Sequence, residues 1–337
     1  MTKKPSWRST AAVRIALVSA LVAATGIAGY DYQVAQQAAG GNSGASTSEA
    51  NQPKSGATAA PFTTADTGSC LTWDVGPDGS FINFGQTDCA GEHRYEVASR
   101  ENLAAYPASE FGPKAPAPDL TRQAQLREEL CKGPTIEYLS GQFDALGRYS
   151  IAPILPPADA WDAGDRTMLC GVQVAGENGV PKKTTGRATE QDQARVNETG
   201  ACVAVDEAGS TRTVDCGQEH SFEVTAEVNL KDTFPDKTPS TEEQDKYLAK
   251  RCVTAAQDYL GGDDALYNST LQPFWTTINT NSWIGGSHTV NCALFKPNQE
   301  KTFSALAGSA KGQFTIDGAA PPPQPTRNPL RTPAPAP

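Results

Sequence analysis

The sequence contains two consecutive blocks with the same arrangement of cysteines. The intervals between successive cysteines are 19, 42 and 39 residues in the first block and 14, 36 and 40 in the second. A chain of 337 residues has room for two or three ordinary domains. We therefore interpret the blocks as two copies of one domain. The cysteines are Cys70, Cys89, Cys131 and Cys170, then Cys202, Cys216, Cys252 and Cys292.

Other residues recur at matching offsets from these cysteines. Each block opens with Thr-Gly-x-Cys, and each carries Asp-Cys-x-x-Glu-His-x-x-Glu-Val at its second cysteine. A Tyr-Leu pair follows the third cysteine, and a tryptophan, Trp161 or Trp283, precedes the fourth. Chance does not produce so many matches in step. The two copies are assigned to residues 66–176 and 198–297, with a polar interdomain linker at 177–197.

The residue pattern within each copy predicts an α+β fold. Two β-rich runs flank a Pro/Gly/Asp turn and predict a hairpin between the first two cysteines. In the second copy Ser240 and Glu243 form a capping-box pattern, and Leu248, Cys252 and Ala255 fall on one helical face. In the first copy Pro134 is expected to interrupt the corresponding helix. The fourth cysteine of each copy lies in an apolar run that predicts a closing strand.

This order of elements predicts the disulfide pairing, although four cysteines allow three connectivities. The first two cysteines bracket a hairpin, whose antiparallel pairing places them opposite each other. A bond between the third and fourth would join helix to sheet. We predict Cys70–Cys89, Cys131–Cys170, Cys202–Cys216 and Cys252–Cys292.

The flanking segments predict an exported, membrane-attached protein. Residues 1–10 are basic and are assigned to the cytoplasm, and the apolar run 11–30 is long enough for a single transmembrane signal anchor. A cleavable signal peptide is the alternative, and it would make the protein secreted. Residues 31–65 are expected to be a flexible linker, and 298–337 a Pro-rich tail. Eight cysteines agree with export, because disulfides persist outside the cytoplasm.

Charge and composition narrow the range of partners. The formal net charge is -10, and the basic residues cluster only at the N-terminus. Nucleic-acid binding relies on Lys and Arg to neutralise phosphates, so no nucleic-acid partner is expected. The expected partners are the membrane, through the N-terminal helix, and envelope proteins, division proteins or cell-wall components.

The repeated Glu-His-x-x-Glu motif contains the candidate site residues His93, Glu96, His220 and Glu223. A His with a nearby Glu suits acid–base chemistry or metal binding. In a regular strand, however, positions 93 and 96 point to opposite faces, and one His with its glutamates is too few for a closed zinc site. A structural role is therefore favoured, and no catalytic residue, metal or cofactor is expected. Trp161 and Trp283 are interpreted as core residues, with stacking on a sugar or peptide as the alternative.

With these motifs in hand, the pattern of cysteines, His-x-x-Glu-Val and Trp behind one membrane segment resembles the septum-formation domain family of actinobacterial envelope proteins. The resemblance covers about residues 66–176 and 198–297. It implies a membrane-associated, extracytoplasmic protein connected with cell division, and it brings no catalytic residue or cofactor. The sequence-based hypothesis is a non-enzymatic, membrane-tethered binding or scaffold protein of the cell envelope. The alternative is a wall-processing enzyme that uses the repeated His and Glu positions.

Overall fold

The two cysteine blocks fold as α+β units with closely similar topology. In a computed structural model, the structure describes residues 64–76, 81–106, 109–176, 179–300 and 302–326. These residues divide into two compact units, 64–195 with 281–287 and 196–280 with 288–326. Each unit contains a five-stranded antiparallel sheet, in the order β2-β1-β3-β5-β4 or β7-β6-β8-β10-β9.

The first sheet contains the predicted hairpin, and the final cysteine lies in β5. Its strands are β1 (Cys70–Val75), β2 (Phe81–Thr87), β3 (Tyr95–Asn102), β4 (Tyr149–Ile154) and β5 (Thr167–Val174).

The helices of the first block lie between β3 and β5 in sequence. They are α1 (Leu120–Leu126), a π-helical turn (Arg127–Cys131), α2 (Lys132–Tyr138) and α3 (Ala158–Asp162). The expectation that Pro134 interrupts the helix was wrong. Proline has no N–H and crowds the carbonyl one turn earlier, and the wide turn before α2 carries the helix past this position.

The second block repeats the arrangement with a longer helix. Its strands and helices are β6 (Cys202–Val205), β7 (Thr211–Val214), β8 (Phe222–Asn229), α4 (Thr241–Leu260), α5 (Asp263–Ser269), β9 (Gln272–Trp275), α6 (Thr280–Ile284) and β10 (Thr289–Phe295). The short strands β11 (Leu306–Ala307) and β12 (Thr315–Ile316) form a separate pair. The predicted capping box is confirmed: the Ser240 hydroxyl accepts from the Glu243 amide, and the Glu243 carboxylate accepts from the Ser240 amide.

The disulfides join the predicted pairs. Cys70–Cys89 and Cys202–Cys216 join the start of each hairpin to the chain just after its second strand, and Cys131–Cys170 and Cys252–Cys292 fix a helix to the closing strand. No free cysteine is present in the part of the chain that the structure describes. The bonds stabilise each unit by restricting its unfolded chain, by about 3 kcal/mol for loops of this length.

Two segments pack more closely than their composition suggests. Residues 182–190 and 304–312, here called the closing segments, follow the sheets in sequence and fold back on them. Ala188 is buried in a cluster with Leu139, Tyr149 and Val172, and Leu306 is buried with Leu294. The assignment of 177–197 as a linker and of 298–337 as a tail was therefore wrong for these residues, because their backbones pair with the units that precede them.

The predicted membrane anchor, 11–30, lies outside the described residues, as do 1–10, 31–63 and 327–337. Among the helices that the structure describes, none has both the length and the apolar character needed to cross a bilayer. The anchor stays a prediction from sequence.

Candidate functional site

Strand pairing brings the repeated glutamate beside the hairpin disulfide in each unit. Cys70 on β1 lies directly opposite Glu96 on β3. In the second unit Cys202 on β6 lies opposite Glu223 on β8. Directly opposed residues of antiparallel strands point to the same face. The cysteine sulfur and the carboxylate are therefore neighbours because of the register of the sheet.

The histidine of the repeated motif joins the same cluster. His93 precedes β3 and forms an isolated bridge with Thr184 of the closing segment, and His220 forms the equivalent bridge with Leu306. The argument that residues 93 and 96 face opposite sides was wrong, since strand alternation does not extend through the bend at Arg94. Ligand atoms of the cysteine, histidine and glutamate lie within 4.8 Å of one another in each unit.

Each histidine ring is fixed by one backbone carbonyl. Nδ1 of His93 lies 3.0 Å from the carbonyl oxygen of Gly91, and Nδ1 of His220 lies 2.9 Å from that of Gln218. A carbonyl oxygen only accepts, so Nδ1 carries the proton in both rings. Nε2 of His220 is buried without a hydrogen-bond partner.

Glu96 holds the closing segment against the helix of the first unit. It is buried, with 2% of its surface exposed. One oxygen accepts from the hydroxyl of Tyr138 at the end of α2, and the other accepts from the Ala188 amide at 2.7 Å. Hydrogen bonds to an ionised carboxylate are stronger than neutral ones. The glutamate therefore connects sheet, helix and closing segment.

Glu223 does the same in the second unit with one more donor. Its Oε1 accepts from the hydroxyls of Tyr259 and Ser309, the latter at 2.8 Å, and its Oε2 accepts from the Ala310 amide at 2.7 Å. The residue is completely buried. The Lys311 ammonium lies 4.0 Å from the centre of the Tyr259 ring.

The buried carboxylates and their surroundings raise the pKa values of the two tyrosines. Burial is the larger cause and the hydrogen bond to Glu96 the next, and together they raise the pKa of Tyr138 to about 12. The pKa of Tyr259 is also raised well above its ordinary value, first by burial and then by the hydrogen bond to Glu223. Both hydroxyls thus remain protonated at neutral pH and act as donors to the carboxylates.

The two predicted tryptophans lie in the protein interior. Trp161 is buried, its Nε1 donates to the Ala115 carbonyl at 2.8 Å, and the Arg166 guanidinium lies 4.1 Å from its ring centre. Trp283 is also buried, with 8% of its surface exposed. Their burial favours packing over stacking on a ligand.

The closing segments supply the site residues that the sequence reading missed. Gly186 donates to the Cys89 carbonyl and Gly308 to that of Cys216, so the segments are anchored at corresponding points. A repeated Gly-x-Ala, Gly186 with Ala188 and Gly308 with Ala310, is visible in the sequence. That short match was the available signal, and it was hidden within a polar stretch.

The fold and the repeated cluster define a duplicated, disulfide-bonded domain closed by a buried carboxylate. The sequence model of the septum formation family matches residues 67–292. The chain therefore belongs to the septum formation family, as its motifs indicated.

Two relatives are proteins of Mycobacterium tuberculosis, from strains CDC 1551 / Oshkosh and ATCC 25618 / H37Rv. Each is named an uncharacterized membrane protein and is 34% identical over 270 residues. The match covers 79% of this chain and 59% of each relative, so the chain spans less than two thirds of their length. No solved structure matches.

Proposed function

We propose that this protein is a non-enzymatic, membrane-tethered binding or scaffold protein that acts outside the cytoplasm in septum formation. Membership of the septum formation family supports a role in cell division. The relatives are named membrane proteins, and the apolar run at 11–30 supplies the corresponding anchor in this sequence. The disulfides agree with an extracytoplasmic location.

The non-enzymatic part of the proposal rests on the burial and internal hydrogen bonding of the repeated polar cluster. A general base needs to reach a proton on its substrate. Glu96 and Glu223 instead accept hydrogen bonds from their own tyrosines and closing segments, and both are buried. This arrangement favours a structural role for the cluster over the wall-processing enzyme that we kept as the alternative.

Duplication suits binding at a surface. Two binding units on one chain raise the effective concentration of the second after the first has bound, provided that the connection can span the two sites. The long polar stretch at 31–65 would let the units reach beyond the bilayer. The proposed targets are division proteins, other envelope proteins or cell-wall components.

The test combines localisation with capture of partners. The full-length chain carrying a C-terminal fluorescent tag should accumulate at division sites, and cross-linking in intact cells should recover envelope or division components. Uniform distribution over the membrane, with no cross-linked partner, would refute the proposal.

The double variant His93→Gln, His220→Gln separates binding from enzymatic action. If the histidines are structural, the variant loses stability, and any remaining folded fraction keeps partner binding and localisation. An enzyme would instead lose function while its stability remained unchanged. His288→Gln is the matched control, since His288 is the third histidine of the chain and belongs to neither copy of the repeated motif.

A further inference from the structure

The hairpin disulfides have neighbours that the helix–strand disulfides do not share. Among the described residues, only two groups combine three metal-ligating side chains: Cys70 with His93 and Glu96, and Cys202 with His220 and Glu223. All six residues are buried. Cys131–Cys170 and Cys252–Cys292 belong to no such group in the described ranges. The same chain thus contains two kinds of disulfide.

The histidines are held in the form that binds a metal. Metal-binding histidines usually donate one ring N–H to a carbonyl or carboxylate, which fixes the lone pair of the other nitrogen. Nδ1 of His93 and of His220 makes such a bond to a backbone carbonyl. Nε2 of His220 is left buried with no partner, and an unsatisfied buried polar atom is unfavourable.

The carboxylates are held in the same way. Glu96 and Glu223 are each fixed by a tyrosine hydroxyl and a backbone amide. A carboxylate has about four lone-pair sites, so these bonds leave capacity for one more contact. Hydrogen-bonded carboxylate ligands are a regular feature of metal centres.

We propose that reduction of Cys70–Cys89 and Cys202–Cys216 converts each cluster into a zinc site with two thiolates, one imidazole and one carboxylate. Four ligands of this kind match the tetrahedral preference of Zn²⁺. Bond lengths of about 2.0–2.3 Å place tetrahedral ligand atoms roughly 3.5 Å apart. In the oxidised protein the ligand atoms of the first cysteine, the histidine and the glutamate already lie within 4.8 Å of one another, and the second cysteine is bonded to the first.

The chemistry requires an external reductant, for which a water-soluble trialkylphosphine is suitable. The phosphine breaks the S–S bond and is oxidised to its phosphine oxide with oxygen from water, which leaves two thiols. Zn²⁺ then replaces the two thiol protons, which pass to solvent. Cys216 is partly exposed and Cys89 is 7% exposed, whereas the four cysteines of the helix–strand disulfides are fully buried. Reduction should therefore begin at the hairpins.

The experiment measures zinc bound by the full-length protein before and after mild phosphine treatment, with mass spectrometry to identify the reduced bonds. The oxidised protein should bind no zinc, and the hairpin-reduced protein should bind two ions per chain. Cobalt(II) substituted for zinc should show a thiolate-to-metal charge-transfer band. His93→Gln and His220→Gln should each remove one ion, whereas His288→Gln should retain both.

Two results would overturn the proposal. One is a hairpin-reduced, folded protein that binds no zinc. The other is undiminished zinc binding in the His93→Gln, His220→Gln double variant. If reduction unfolds the units, added zinc should restore their circular dichroism in the parent chain and not in the double variant, and failure to do so would count equally against the site. None of these readouts depends on partner binding or septum formation, so the result is independent of the proposed function.

Discussion

The replacement Tyr138→Phe tests whether the buried glutamate holds the closing segment. The change removes only a hydroxyl, which donates to Glu96. A hydrogen bond to a charged group contributes about 1.5–3 kcal/mol. Since about 1.4 kcal/mol corresponds to a factor of ten, local opening of the closing segment should increase roughly 10- to 100-fold.

The two units should differ in how they respond. Tyr138 is the donor to Oε1 of Glu96, whereas in the second unit Oε1 of Glu223 also accepts from Ser309. Tyr138→Phe should therefore fall near the upper end of that range and Tyr259→Phe near the lower end. The assay is native-state hydrogen exchange of the Ala188 and Ala310 amides, whose bonds to the glutamates report opening directly.

A matched control is Tyr267→Phe. Its hydroxyl donates to the Pro325 carbonyl at an exposed position. The exchange of both alanine amides should be unchanged in this variant. The reasoning is refuted if Ala188 exchanges at the parental rate in a folded Tyr138→Phe protein, because the tyrosine–glutamate bond would then contribute nothing to closure.

Three further changes test local features. The pKa of Tyr138 is raised to about 12 in the fold and is about 10 in an unfolded chain. The contribution of Tyr138 to stability should therefore be complete below pH ~10 and lost as the pH rises through ~12. Urea unfolding across this range should depend less on pH in Tyr138→Phe than in the parent chain. Ser240→Ala should cost about 1 kcal/mol by removing the cap of α4, and an unchanged urea midpoint would contradict this. Gly308→Ala should destabilise the second unit by more than about 1–2 kcal/mol, because its φ is +91° and a Cβ would lie 2.3 Å from the Gln313 carbonyl oxygen. Gly209→Ala, at φ +79° in open space, should show the backbone strain alone in the same thermal unfolding assay.

Local and duplicated signals explain what the sequence could predict. The hairpins and their disulfides follow from short-range pairing around turns, and the cap of α4 follows from Ser240 and Glu243 alone. Each signal was also present twice or was complete within a few residues. Such features depend little on distant parts of the chain.

The missed features depend on distant partners. The closing segment of the first unit is polar, and its position is set by pairing with His93 and by the Ala188 bond to Glu96, which is 92 residues away in sequence. Hydrophobic periodicity does not predict contacts between residues that are so far apart in sequence. The histidine was misplaced for a related reason: its bridge to Thr184 holds it outside β3, where the alternation rule no longer applies.

The closing segments also determine when each unit can be completed as the chain emerges. The family match ends at residue 292, on β10, yet Glu223 receives its bonds from Ser309 and Ala310. A nascent or truncated chain that ends at the match would have the cysteines of both disulfides, but it would lack the last three residues of β10 and two of the donors to the buried carboxylate. Completion of the second unit must therefore wait until residue 310 is available, and a fragment intended to fold by itself should extend beyond it.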